Sequence, residues 1–145
     1  MLRLLIANED AAFRAGLRVL LDERTDLEIV AEAADGREAI SKAIETKPDV
    51  AIVSHPLPLV DGLQVTKQLC GRLRGILILI VAGDESETYI AAPFKAGARG
   101  YLLSKEVPRY LIEAIDTVAS HKRFFTPNIT EALLASFLAD PRRGP

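Results

Sequence analysis

Hydroxyl, amide and carboxylate side chains come directly after short apolar segments of this 145-residue chain, where they could take part in chemistry. Ser54 carries a possible nucleophile, but its hydroxyl is protonated at neutral pH and needs a general base before it can attack. His55 is the next residue, yet successive strand residues point to opposite faces of a sheet, so it is poorly placed to be that base. The positions of interest are Asn8, Glu9 and Asp10, Ser54 and His55, Val81, Ala82 and Gly83, and Ser104 and Lys105.

Metal binding is the second kind of chemistry that these positions could support. Magnesium is bound mainly through carboxylate oxygens, together with carbonyls and waters. Glu9 is the only assured carboxylate, because Asn8 is neutral and Asp10 is better placed to cap a helix that starts after it. We therefore expect no metal site, with Glu9 binding an ion at most weakly, and no cofactor.

Composition limits the class of protein. Apolar residues make up 49% of the chain, which suits one domain with a proper core. The net charge of -2 argues against a nucleic-acid surface, and the single cysteine, Cys70, excludes a disulfide framework. The longest apolar run, residues 76–82, is too short to cross a bilayer, and no signal peptide is visible. We expect a cytoplasmic protein without a membrane contact.

Two hydrophobic periodicities alternate along the chain and predict the elements that position these side chains. Five short apolar segments alternate with five amphipathic ones, which predicts an α/β fold with a doubly wound parallel sheet. The first, third and fourth segments are almost purely apolar and suit central strands, whereas the second is mixed and the fifth is short. This favours the flavodoxin-like (βα)5 fold with strand order 2-1-3-4-5. Ligands in such sheets bind at the carboxyl ends of the strands, where the residues singled out above lie.

The end of the chain has a pattern of its own. We predict one domain over residues 1–125, an additional C-terminal helix over residues 126–139 and an exposed linker over residues 140–145. The predicted extra helix must be covered by its own domain, a second copy or a following domain, because it carries several large apolar side chains. These residues are Ile129, Leu133, Leu134, Phe137 and Leu138.

Several local sequences are similar to the receiver domains of bacterial two-component response regulators. The similarity covers residues 4–7, 13–17, 29–36, 48–50, 58–62 and 95–103. Ala-Gly-Ala-Arg-Gly-Tyr-Leu-Leu at residues 96–103 resembles the NarL/LuxR-type subfamily, which carries a C-terminal helix-turn-helix. The resemblance implies magnesium-dependent phosphoryl transfer to an aspartate after strand three. It also implies an acidic pair after strand one, a hydroxyl residue after strand four and a lysine after strand five.

The chain departs from that family pattern at each of these functional positions. Ser54 replaces the aspartate, and Asn8 with Glu9 replaces the acidic pair. Val81 stands at the hydroxyl position, and Ser104 stands at the lysine position. Lys105 could substitute only if the loop were shifted by one residue. We therefore interpret the domain as a pseudo-receiver that is neither a phospho-acceptor nor a phosphatase, and we expect no enzyme activity.

The family's switch and dimer elements are the remaining candidates. Tyr101 occupies the switch-like aromatic position, but Val81 cannot make the hydrogen-bonded movement that turns this side chain inward, so we expect Tyr101 to cover the core. Pro93 should kink or shorten the fourth helix. Arg109, Glu113 and Asp116 lie on the outward side of the fifth helix, and the resemblance implies that such a face, with helix one or helix four, forms a homodimer.

Two functions from different classes follow. The first is a phosphorylation-independent domain of a bacterial transcription regulator, acting by dimerisation and by coupling to a helix-turn-helix domain absent from this chain, through which alone it would contact DNA. The second is a small-molecule sensor whose vacated pocket binds a metabolite. A flavin protein or an enzyme would need a phosphate loop or a nucleophile–base pair, and the sequence has neither.

Overall fold

The computed structural model describes residues 1–83 and 91–138, which form a parallel sheet flanked by helices. The strands are β1 (Leu2–Ala7), β2 (Leu27–Ala33), β3 (Val50–His55), β4 (Leu77–Ala82), β5 (Gly100–Leu103) and β6 (Phe124–Phe125). The helices are α1 (Ala11–Leu21), α2 (Gly36–Thr46), α3 (Gly62–Arg72), α4 (Ala91–Ala96), α5 (Val107–Ala119) and α6 (Pro127–Leu138), with a 3-10 turn at Ser104–Glu106.

The strand order is β2-β1-β3-β4-β5-β6, and all the pairings are parallel. The flavodoxin-like arrangement and the order of its first five strands are confirmed. The sequence did not predict β6, a two-residue strand in which Phe124 pairs with Gly100 and Phe125 with Tyr101. The first half of the outer edge of the fifth strand is therefore paired with β6.

Aspartate caps start the first three helices and fix where the loops at the carboxyl edge of the sheet end. The side chain of Asp10 accepts a hydrogen bond from the backbone N–H of Ala12, as expected for a helix cap. Asp35 and Asp61 do the same at the starts of α2 and α3. Each cap satisfies a backbone donor that the first turn of a helix leaves without a partner.

The core lies on both faces of the sheet. Helices α1 and α5 cover one face, where Leu17, Leu21, Leu111 and Ile115 belong to the same hydrophobic core. Helices α2, α3 and α4 cover the other face. The central strands are buried on both sides, which explains why their sequences are continuous apolar runs rather than alternating ones.

Helix α6 packs against its own domain at its first turn. Ile129 is 1% exposed and belongs to the same core as Tyr101 and Leu103. The ring of Phe94 on α4 lies 4.9 Å from the ring of Phe125 and 6.0 Å from that of Tyr101, measured between centroids. Leu134 is 57% exposed, so this side of α6 is not covered by the described part of the chain.

Two expectations concern residues that are described only in part. The described portion of α4 has six residues and contains Pro93, while residues 84–90, on its amino-terminal side, lie outside the described residues. The predicted linker at residues 140–145 also lies outside them. Among the described residues, no helix combines the length and the apolar character needed to cross a bilayer.

Candidate functional site

Asn8 and Ser54 lie side by side at the carboxyl ends of β1 and β3, as the predicted strand order requires. The Asn8 amide Nδ2 donates a hydrogen bond to Ser54 Oγ over 2.6 Å. The amide Oδ1 of Asn8 accepts a hydrogen bond from the backbone N–H of Asp10 over 2.8 Å. Both ends of the Asn8 side chain are therefore engaged within the protein, and one of them occupies a lone pair of the Ser54 hydroxyl.

The backbone packs closely around Ser54, which is only 7% exposed. A Cβ atom on Gly62 would lie 2.5 Å from the carbonyl oxygen of Ser54, closer than real Cβ atoms approach. The start of α3 is thus pressed against the end of β3, and only glycine permits this approach. The same contact brings Gly62 against the Cα and Cβ of His55.

His55 does not act as a hydrogen-bond partner of Ser54. Its Nδ1 atom is buried and has no partner within the described part of the protein. Its carbonyl oxygen accepts a hydrogen bond from the Gly83 N–H over 3.2 Å, which links the loop after β3 to the end of β4. No described group that could remove the Ser54 proton is hydrogen-bonded to Ser54 Oγ.

The end of β4 contributes no hydroxyl group. Val81 lies beside Ser54 in the register of β3 and β4, and it is 1% exposed within the core on the α1 and α5 side. Ala82, the last residue of β4, is the one that contacts the loop after β5, because its carbonyl accepts a hydrogen bond from Ser104 Oγ over 3.2 Å. The sequence analysis assigned the family's hydroxyl position after strand four to Val81 and did not predict the hydrogen bond that Ala82 accepts.

Ser104 and Lys105 belong to the 3-10 turn that follows β5. Ser104 bonds to the backbone of β4, and Lys105 is exposed. The carboxyl edge of the sheet thus places Asn8, Ser54 and Ser104 on neighbouring loops, as expected from the fold. None of these three carries a charge.

Magnesium does not fit the side chains at this edge. Glu9 is exposed and is the one carboxylate among the five positions that the receiver resemblance singles out. The Asn8 amide oxygen, a possible second ligand, is already used by Asp10. Within residues 1–83 and 91–138, no group of three or more histidine, cysteine, aspartate or glutamate side chains is placed to hold a metal ion.

Arginine side chains hold the loop after β1 in place. Arg14 donates from Nη1 to the carbonyl oxygen of Asn8 over 2.5 Å, and its Nε lies 3.4 Å from Glu32 Oε1. Arg18 donates to the same carboxylate over 2.5 Å. Glu32 on β2 thus binds two cations of α1, and one of them fixes the backbone of Asn8.

The face of α5 that was predicted to be a dimer surface is partly paired within the chain. Asp116 accepts two hydrogen bonds from Arg24, over 3.0 and 3.1 Å. The same guanidinium donates to Asp26, and this hydrogen bond holds the pKa of Asp26 below its ordinary value while the pKa of Arg24 is raised. Arg109 lies 5.1 Å from the centroid of the Tyr110 ring, and Glu113 is exposed.

Tyr101 is 3% exposed in the structure and lies among the apolar residues of the core. Tyr101 lies on β5, and its ring is 6.0 Å from the ring of Phe94 between centroids. This position matches the expectation that the aromatic side chain covers the core.

Sequence comparison and structure comparison both find similarity to response regulators. The family described as "Response regulator receiver domain" matches residues 4–116. The uncharacterized transcriptional regulatory protein YxjL of Bacillus subtilis is 32% identical over 135 residues, covering 93% of this chain and 62% of that protein. The oxygen regulatory protein NreC of Staphylococcus epidermidis is 33% identical over 138 residues, covering 94% of this chain and 63% of that protein.

Solved structures extend the comparison to the fold. A two-component response regulator of the LuxR family from an Aurantimonas species matches with a TM-score of 0.88 at 28% identity, covering 94% of this chain and 97% of that one. The response regulator ChrA of a heme-sensing two-component system matches with a TM-score of 0.76 at 31% identity, covering 99% of this chain and 68% of that one. The chain spans about three fifths of the length of the curated relatives named above.

Proposed function

Because the chain belongs to the response regulator receiver domain family, with NarL/LuxR-type transcription regulators among its relatives, we propose that it is a pseudo-receiver that signals without phosphorylation. The Asn8–Ser54 hydrogen bond carries this proposal. Phosphoryl capture by a receiver needs an anionic acceptor and a metal that offsets the incoming negative charge. Here a neutral alcohol and a neutral amide face each other at that place.

Ser54 also lacks the activation that a serine nucleophile needs. Its Oγ accepts a hydrogen bond from Asn8, and an accepted bond does not remove the proton from a hydroxyl group. The neighbouring strand ends supply Val81 and Ala82, whose side chains have no hydrogen-bond donor for a phosphoryl oxygen, and Ser104, which brings no positive charge. On this basis we propose that the domain has no catalytic role and needs no metal.

The direct test is incubation of the protein with acetyl phosphate and millimolar magnesium, followed by intact mass measurement. We expect no phosphoryl adduct, while a receiver that retains its aspartate, treated in parallel, gains one. Beryllofluoride, which imitates an acyl phosphate, should leave the amide spectrum of the protein unchanged. A phosphoryl group on Ser54 would overturn the proposal.

We propose that output passes through self-association of the face formed by α1 and α5. Both helices cover the same side of the sheet, and Arg24, just after α1, ties this region to Asp116 on α5. Val19 on α1 is 71% exposed, and in this proposal it supplies an apolar contact between two copies. DNA contact would come from a helix-turn-helix domain outside this chain, in a cytoplasmic regulator.

Light scattering over a range of protein concentrations tests this interface. Val19→Glu should shift the protein toward monomer, because it places a charge in the proposed contact. Leu59→Glu is the matched control, since Leu59 is also 71% exposed but lies in the loop between β3 and α3. A protein that is monomeric at every concentration, or one that dissociates only with the Leu59 change, would contradict this interface.

The alternative function, a metabolite sensor, is favoured by one observation. His55 Nδ1 is buried near the site without a partner among the described residues, and a bound ligand could satisfy it. The side chains of Asn8, Ser54 and Ser104, in contrast, already bond to groups of the protein. A thermal-shift screen with metabolites separates the two functions, because a stabilising ligand whose effect is lost in His55→Ala would support the sensor.

A further inference from the structure

Glu106 is a buried carboxylate that the proposed function does not use. It ends the 3-10 turn after β5 and is 8% exposed. One oxygen, Oε1, accepts hydrogen bonds from the backbone N–H of Leu103 over 2.9 Å and from Thr126 Oγ1 over 3.0 Å. A buried charge is costly unless hydrogen bonds replace its water, so these two donors are what make the position of Glu106 acceptable.

Thr126 connects this carboxylate to the start of α6. It is fully buried and directly precedes the first residue of the helix. Its hydroxyl donates to Glu106 and accepts from the backbone N–H of Ile129 over 3.4 Å, as a helix cap does. The negative charge of Glu106 therefore stands beside the positive end of the α6 dipole, where an anion is favourable.

The other end of the same turn contacts the candidate site. Ser104 Oγ bonds to the carbonyl oxygen of Ala82 at the end of β4. The three consecutive residues of this turn thus link the candidate site to α6. Ser104 contacts the candidate site, and Glu106 contacts the residue that caps α6. Because the turn is short and is bonded at both ends, a shift at one end changes the geometry at the other.

We propose that Glu106 and Thr126 form a buried latch that couples the turn after β5 to the docking of α6. When the turn is in place, the Glu106 carboxylate holds the Thr126 hydroxyl, and that hydroxyl caps α6 against the domain. A change at Ser104, caused by a ligand or by a second copy, loosens the cap and lets the first turn of α6 open more often. The latch does not depend on whether Ser54 accepts phosphate, so it stands or falls separately from the proposed function.

Amide hydrogen exchange measured by NMR tests the latch locally. Thr126→Val keeps the shape of the side chain but removes the hydroxyl, and we expect exchange at Ile129 and Thr130 to become about fivefold to tenfold faster. Thr126→Ser restores the hydroxyl and should restore most of the protection. Amides of β3 should change less than those of α6, because the latch acts on the helix rather than on the sheet.

Two threonines of the chain provide matched controls. Thr130 lies in α6 and bonds to the carbonyl of Thr126, so Thr130→Val tests the loss of a hydroxyl in the same helix without loss of the cap. Thr66 is also fully buried, but its hydroxyl bonds back to Gly62 within α3. Neither Thr130→Val nor Thr66→Val should speed exchange in α6 more than in β3. Equal loss of protection in β3 and α6 on Thr126→Val would overturn the proposal.

Coupling to the candidate site is tested by a double-mutant cycle. Ser104→Ala removes the bond to Ala82 and should speed exchange at Ile129 and Thr130 in the otherwise unchanged protein. The same substitution should have no added effect on α6 once Thr126 is valine, because the connection is already broken. An unchanged α6 in Ser104→Ala, or an effect of the same size in both backgrounds, would show that the turn and the helix are independent.

Discussion

At the scale of single residues, the candidate site contains a hydrogen bond between two neutral side chains, Asn8 and Ser54. A cluster of carboxylates repels itself unless a cation is present. The Asn8–Ser54 pair needs no cation, and a hydrogen bond of this kind contributes about 1 kcal/mol to stability. The hydrogen bond between Asn8 and Ser54 therefore forms without a metal ion.

Restoring the carboxylates should restore metal binding. The double variant Asn8→Asp, Ser54→Asp places two new carboxylates near Glu9, and we expect it to be less stable than the original protein without magnesium because the charges repel. Millimolar magnesium should raise its Tm and leave that of the unchanged protein where it was. Adding Glu9→Gln should remove most of the response, and an equal response in the unchanged protein would contradict the neutral-site interpretation.

The pairing of Arg24 with Asp26 predicts a dependence on pH. The folded-state pKa of Asp26 is lowered, so its contribution to stability is present above the unfolded-state pKa and is lost as the pH falls through the folded-state value. In Arg24→Gln, the Asp26 carboxyl should titrate closer to its ordinary value when followed by NMR. The stability difference between the two proteins should shrink in acid.

Arg72 offers the control for that experiment. It is exposed on α3 and forms no ion pair among the described residues. Arg72→Gln removes the same charge and should leave the Asp26 titration unchanged. If both arginine variants move the titration equally, the cause is net charge rather than the hydrogen bond from Arg24.

At the scale of elements, glycine decides how closely α2 approaches the loop before α3. A Cβ on Gly36 would lie 1.7 Å from the carbonyl oxygen of Val60, while the Gly36 N–H donates to Pro58 O over 2.9 Å. The start of α2 and the loop between β3 and α3 are therefore in direct backbone contact. No side chain fits between them.

A pair of alanine substitutions tests this contact by urea unfolding. Gly36→Ala should lower the free energy of unfolding by roughly 3 kcal/mol, because the backbone of residue 60 must move. Gly16→Ala in α1 should raise it by up to about 1 kcal/mol, since nothing lies within 4 Å of the new atom and alanine favours a helix. A neutral result for Gly36→Ala would mean that the loop yields easily.

The sequence predicted the elements that have a clear period and missed those that do not. Alternating apolar and amphipathic segments were enough to give the order of five strands. Strand β6 has only two residues, Phe124 and Phe125, so it shows no period and takes its place through pairing with β5. The end of β4 was harder to interpret, because a strand buried on both faces has no polar alternation to show which residue reaches the site.

Contacts between distant segments were also invisible in the sequence. The pairing of Asp116 with Arg24 joins residues 92 positions apart, and a charge on the outward face of a helix gives no sign of such a partner. The Glu106–Thr126 hydrogen bond spans 20 positions. It attaches Thr126, the first residue of the predicted extra helix, to the rest of the domain. The sequence named residues at the strand ends as candidates, but it did not predict the hydrogen bonds between them.

At the scale of the whole molecule, β6 and α6 are part of the fold rather than an appendage. Phe124 is 7% exposed, and Thr126 and Ile129 are more deeply buried. The receiver family match ends at residue 116, before these residues. The described structure therefore continues beyond the part of the chain that the family match covers.

Removal of this segment should destabilise the domain. A variant that ends at residue 123 loses the buried side chains of Phe124 and Ile129 and the partly buried Phe125, and we expect its free energy of unfolding to fall by at least about 3 kcal/mol. Leu134→Ala, which truncates a side chain that is 57% exposed, should change it by less than about 0.5 kcal/mol. A shortened protein of unchanged stability would show that the segment only rests on the surface.

The short length of β6 has a consequence for solubility. A long bare border of a parallel sheet offers a row of unpaired N–H and C=O groups on which further chains can stack. On this flank Phe124 and Phe125 pair with Gly100 and Tyr101 of β5, and the strand that they form is only two residues long. A two-residue strand offers few unpaired groups on which another chain could stack, so we expect little aggregation from this flank.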